Sequence, residues 1–85
     1  MYCTGLTSIT IYENVSNIGD YAFYDCSNLS NINCYSITPP VLGNQVFYNV
    51  SINIPVHIPP GQISTYTSAT GWINFTNYID DLPAV

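Results

Sequence analysis

Residues 3–25, CTGLTSITIYENVSNIGDYAFYD, and residues 26–49, CSNLSNINCYSITPPVLGNQVFYN, are two copies of one pattern. Cys3, Leu6, Ile9 and Ile11 fall on Cys26, Leu29, Ile32 and Cys34, each 23 residues on. After one inserted residue near the Thr38-Pro39-Pro40 turn, Gly19, Phe23 and Tyr24 fall on Gly43, Phe47 and Tyr48, now 24 on. Across residues 18–32 the apolar positions Ile18, Ala22, Phe23, Cys26, Leu29 and Ile32 follow neither a helix nor a strand period. Such irregular gaps suit one coil of a solenoid, whose every side faces a shared interior.

Each coil reads further into sides. Residues 6–11, LTSITI, and 29–34, LSNINC, suit short parallel strands with Leu6, Ile9, Ile11, Leu29, Ile32 and Cys34 directed inward. The gap of three between Leu6 and Ile9 breaks strict alternation, as expected where the chain turns into the strand. Residues 15–19, VSNIG, supply a second extended side. Residues 20–26, DYAFYDC, read as one tight helical turn with Asp20 as its N-cap and Ala22 and Phe23 inside.

The last third reads as a cap. Val50, Ile52, Ile54, Val56 and Ile58 alternate with other residues, giving one strand or two bent around Pro55, closed by Pro59, Pro60 and Gly61. Ile63, Tyr66 and Ala69 predict a short helix from Gln62 to about Thr70, stopped at Gly71. Trp72 and Phe75 are expected to cover the open end of the last coil, and residues 77–85 to form an edge strand followed by a polar tail. The expected fold is therefore mainly β with short helical turns. It is a leucine-rich-repeat solenoid of about two coils (residues 1–49) with a C-terminal cap of the same domain (residues 50–85), since a period near 23 lies in the leucine-rich-repeat range of roughly 20 to 29.

Composition limits what such a fold does. The 85 residues make one domain or a piece of one, and an apolar fraction of 47% supports a buried core. The chain has no Lys and no Arg against five acids. A phosphate backbone needs cationic partners, so nucleic acid is excluded as a ligand, and an anionic membrane surface is disfavoured for the same reason. Trypsin-type proteases find no site, which points either to a protease-rich surrounding or to drift in a genome rich in Asn, Tyr, Ile, Ser and Thr codons. No long apolar run and no charged-then-apolar leader is visible, so neither membrane insertion nor a signal peptide is expected within the chain.

Residues 6–32, LTSITIYENVSNIGDYAFYDCSNLSNI, closely resemble the BspA-like leucine-rich repeat, whose pattern runs Leu-x-x-Ile-x-Ile, a turn, Val-x-x-Ile-Gly, then Ala-Phe, Cys and Leu. The later stretches ITPPVL, INIPVHIPPGQISTY and TGWINFTNYI resemble the segment that commonly closes such arrays. The usual Lys and Arg are missing and the pattern starts abruptly. The resemblance implies a surface or secreted protein, of bacterial or protozoan type, that binds other proteins or takes part in adhesion.

No catalytic constellation is visible. His57 is the single histidine and is expected to face solvent from a strand; Asp80 and Asp81 stand in the tail; no Ser or Cys nucleophile has another base to work with. No metal, cofactor or phosphate-binding motif is present. Cys3 and Cys26 occupy equivalent positions in adjacent coils and could come close, Cys34 holds an inward one, and the odd count leaves open a partner cysteine or a free thiol; the stronger reading is a small buried hydrophobe inside the solenoid. Asn14, Asn28, Asn49 and Asn74 open glycosylation sequons, a number little above chance for this composition.

What remains is surface. The chain has eight tyrosines, residues that offer rigid, amphipathic contact area without charge. The candidate partner-binding face is the outward strand ladder with Thr7, Thr10, Tyr12, Ser30, Asn31, Asn33 and Tyr35; the bland alternative is that these side chains only stack between coils. The expected function is a non-catalytic extracellular or cell-surface module for protein binding or adhesion. The competing reading is a structural subunit that self-assembles through Leu6, Ile9 and Tyr12 on the N-terminal coil.

Overall fold

The computed structural model describes residues 5–83. Four strands form one parallel sheet: β1 (Ser8–Ile11), β3 (Asn31–Cys34), β5 (Val56–His57) and β6 (Tyr78–Ile79), in that spatial order. The register sets Ile9 beside Ile32, Ile32 beside Val56, and Val56 beside Tyr78, so each step along the sheet is one coil. A smaller parallel sheet pairs β2 (Asn17–Ile18) with β4 (Val41–Leu42) on the second side of the first two coils. The chain thus climbs as a stack, 32 Å in its longest extent.

Alternation decides which residues enter the interior. β1 follows an exposed-buried-exposed-buried pattern, and Ile32 and Cys34 of β3 are fully buried. They join Ile11, Ile18, Cys26, Leu29, Val46, Val56, Ile58, Tyr66 and Trp72 in one core. Fully burying an Ile stabilises the fold by about 1.5–3 kcal/mol, so a rung that places one at each inward position holds its own short strand.

The ladder is longer than two coils. Residues 50–85, expected as a cap, supply two rungs of the same sheet, and β5 is hydrogen-bonded on both sides. Only Val56–His57 of the alternating run becomes a strand. Ile52 is about half exposed, because residues 52–54 turn before Pro55 lets the chain join the sheet. The helix α1 is shorter than its apolar spacing suggests, Ile63–Thr67, with Tyr66 buried and Ile63 left exposed. The chain after β6 is not wholly a polar tail: Leu82 is buried and its N–H donates to the Ile58 carbonyl.

The third side departs from the expected helical turn. Residues 20–25 form non-helical turns in which Tyr21 and Asp25 both have φ of 61°, and Ala22 faces solvent while Phe23 is half-buried. Asp20 caps no helix. Its Oδ1 accepts from the Asn44 N–H of the next coil at 2.7 Å, so its capping function acts between coils. The same backbone recurs 24 residues on, with Gln45 at 50° and Asn49 at 63°. Phe23 stacks on Phe47 with centroids 5.7 Å apart, and Tyr24 on Tyr48 at 4.8 Å.

At the far end Trp72 is fully buried. Its Nε1–H donates to the Pro40 carbonyl at 2.9 Å, while its ring meets Tyr66 edge-on. Phe75 and Trp72 both abut Phe47, ending the phenylalanine stack with edges instead of another parallel ring.

Candidate functional site

The outward face of the parallel sheet is built by the residues that alternate with the core. Thr10, Asn33, His57 and Ile79 stand in one row across β1, β3, β5 and β6, and Ser8 and Asn31 in the row before it. Just past the strands, Tyr12 and Tyr35 stack at 6.4 Å with planes 9° apart. Tyr12 is 63% exposed and Tyr35 half-buried, and neither hydroxyl bonds to another described residue.

The seven candidate residues divide by what their polar atoms do. Ser30 donates both its N–H and its hydroxyl to the Thr7 carbonyl, at 2.8 and 3.1 Å, so Thr7 and Ser30 tie adjacent coils together. The Asn31 amide donates to Ser8 Oγ and to Asn33 Oδ1, at 3.4 and 3.1 Å, and is spent within the ladder. Thr10, Tyr12, Asn33 and Tyr35 form the contiguous remainder, in which the Asn33 Nδ2 group bonds to no described residue and faces outward. Ser30 and Asn31 thus bond between coils through their side chains, whereas Thr7 takes part through its backbone carbonyl.

Two residues of this face lay outside the expected set. His57 Nδ1 lies 2.7 Å from Asp81 Oδ1, and the pair sits beside Asn33 in the outward row. Asp80 also has a fixed place, its Oδ2 accepting from the Gly61 N–H at 3.1 Å. The available signal was the period itself, since His57 and Asp81 are one coil length, 24 residues, apart. It was missed because the second partner lies beyond the stretch where the repeat is visible by eye.

Of the self-association candidates, Ile9 is buried within the chain, Leu6 is half-buried against the core, and Tyr12 alone presents a largely exposed side chain. β1 is one edge of the large sheet. Tyr2 and Cys3 lie outside the described residues. Cys26 and Cys34 are both fully buried, as a small hydrophobe would be.

Behind the face the interior holds a group of polar side chains. Cys34 Sγ lies 3.2 Å from the Tyr66 hydroxyl, which donates to the Ser36 carbonyl at 2.5 Å; Tyr78 donates to the Trp72 carbonyl. Burial pushes the Cys34 thiol and the Tyr66 and Tyr78 hydroxyls above their ordinary pKa values. A thiol held protonated is a poor nucleophile, so Cys34 acts in packing. Among the described residues no group of three or more His, Cys, Asp or Glu is placed to hold a metal ion, and no helix is long and apolar enough to cross a membrane.

No curated protein and no solved structure matches the chain. The family described as BspA type leucine rich repeat region (6 copies) matches residues 1–77. That span takes in the strands of the first three coils and the turns between them, and the chain belongs to the BspA-type leucine-rich repeat family.

Proposed function

We propose that the chain is a non-catalytic, extracellular or cell-surface module that binds a protein partner through the outward sheet face centred on Thr10, Tyr12, Asn33 and Tyr35. The observation that carries this reading is the Tyr12–Tyr35 stack: two parallel rings, one of them 63% exposed, beside an outward Asn amide. Stacked tyrosines present a rigid surface that loses little side-chain freedom on contact, and their hydroxyls add directional hydrogen bonds. The net charge of −5, with no Lys or Arg, disfavours an acidic partner, and Thr10, Tyr12, Asn33 and Tyr35 are themselves uncharged, so contact at these four residues rests on shape and hydrogen bonding. Membership of a repeat family whose modules commonly mediate protein contact supports the same reading.

The residues 50–85 serve in this reading as the closing segment of the module, adding rungs while α1 and Trp72 fill the end of the core. Self-assembly through the first coil is the second reading. It is favoured by the edge position of β1 and the exposure of Tyr12.

Both are tested with immobilised protein exposed to surface-protein extracts, alongside light scattering over a hundredfold concentration range. The binding module is expected to stay monomeric and to lose its captured partner in Tyr12→Ser/Tyr35→Ser with its melting temperature kept. Equal capture by that variant overturns the face. An assembly that grows with concentration, survives reductant and is abolished by Tyr12→Ser supports self-packing instead.

A further inference from the structure

The turn of the second coil carries an open hydrogen-bonding edge. In the first coil the N–H groups of Tyr21, Phe23 and Asp25 donate to the carbonyls of Asn44, Val46 and Tyr48, at 2.9, 3.0 and 2.7 Å. One coil on, the equivalent donors are the N–H groups of Gln45, Phe47 and Asn49. Gln45 and Asn49 repeat the positive φ of Tyr21 and Asp25, so this second row points the same way along the stack. None of its three N–H groups donates to a described residue. The third coil brings no carbonyls to them, because there the chain is folded into α1 and the short 3-10 turn Trp72–Asn74.

Between this row and residues 70–75 lies a groove of about 290 Å³. Its walls include Leu42, Phe47, Tyr48, Ile52, Thr70 and Phe75, and no Asp, Glu or His is among its lining residues.

We propose that this groove binds an uncharged peptide segment of a partner protein that follows the same turns as residues 44–48 and adds to the open donor row. Alternate carbonyls of the segment accept from Gln45, Phe47 and Asn49, and an aliphatic side chain between them enters the groove over Leu42, Ile52 and Phe75. The first coil shows what such a row takes, namely carbonyls at every second residue of a neighbouring segment that itself runs in turns, Asn44, Val46 and Tyr48. The apolar, charge-free walls select the side chain, since a charged group would be desolvated there without a partner. A second copy stacked coil upon coil does not fit, because α1 and residues 72–75 already hold the next position in the stack. The groove lies on the turn side of the coils, away from the Tyr12–Tyr35 face, and stands independently of the function proposed for that face.

A phage library of random linear dodecapeptides panned against the full chain tests the proposal, with Thr70→Arg and Ile52→Asn as counter-targets. Thr70 is exposed and Ile52 is about half exposed, so both variants are expected to fold, which a thermal melt checks. The expected result is a pool rich in aliphatic residues that the wild type retains at least about tenfold better than either variant. A synthesised member of the pool should shift the amide resonances of Gln45, Phe47 and Asn49 and slow their hydrogen exchange. No enrichment, equal retention by a folded variant, or shifts confined to Thr10, Tyr12 and Tyr35 overturns it.

Discussion

Gly43 stands so close to Asp20 of the preceding coil that a β-carbon there would lie 2.2 Å from Asp20 Oδ1, 2.7 Å from its backbone nitrogen and 3.1 Å from its Cα. Two of those three atoms are backbone, so no side-chain rotation relieves the clash. Gly19, one coil earlier at the equivalent position, has nothing within 4 Å of such a carbon.

The two glycines therefore separate cleanly. Gly43→Ala is expected to cost about 1–3 kcal/mol by forcing the coils apart. Gly19→Ala is expected to stay within about 1 kcal/mol of the wild type, on the stabilising side, because it only restricts the unfolded chain. Chemical denaturation of both variants checks this, and equal losses would mean that the coil spacing is set elsewhere.

Alkaline pH is expected to unfold the chain from within. Cys34, Tyr66 and Tyr78 all have pKa values raised by burial, so the native state holds these protons more tightly than the unfolded chain does. Their contribution is complete below the ordinary thiol value of 9.0 and is lost as pH climbs past it and past the ordinary tyrosine value of 10.0. The melting temperature should fall steadily above about pH 9. Cys34→Ala should remove the earliest part of that fall; a profile unchanged by this substitution would show that the thiol takes no part.

Trp72 closes the core by shape and by one hydrogen bond. Trp72→Ala is expected to cost about 3–5 kcal/mol. Trp72→Phe retains much of the ring but leaves the buried Pro40 carbonyl without its donor, for about 1–3 kcal/mol. Calorimetry of the two variants gives the order directly, and a Phe variant as damaging as the Ala one would assign the whole effect to the hydrogen bond.

The His57–Asp81 pair is expected to matter little for stability, since Asp81 is 55% exposed. Asp81→Asn should cost no more than about 1 kcal/mol, a shift of at most about 4–8 °C, and the difference should shrink in high salt. A larger, salt-insensitive loss would show that the pair anchors the last rung.

Much of the coil architecture was legible in the chain because repetition is written in spacing. Leu6, Ile9 and Ile11 recur as Leu29, Ile32 and Cys34, and burial forces each set inward, so the parallel strands and their register follow from residue types alone. For Ser30 and Asn31 the residue types allow either a stacking or a partner-facing role, and their hydrogen bonds to Thr7 and Ser8 are what tie them into the stack. Residues 50–75 are different. There α1 replaces the second extended side and the apolar spacing loses its period, so the path of the chain depends on how Tyr66 and Trp72 fill the end of the core.

The sequence by itself determined a repeating, core-forming, cation-free chain of the leucine-rich-repeat type, because periodic burial and composition are properties of the residues. The tertiary structure alone decided that Asp20 caps the next coil, that His57 meets Asp81 across a rung, and that the donor row at Gln45, Phe47 and Asn49 is left open. These relationships join atoms in different coils, and their distances depend on where a non-repeating segment comes to rest rather than on any local preference.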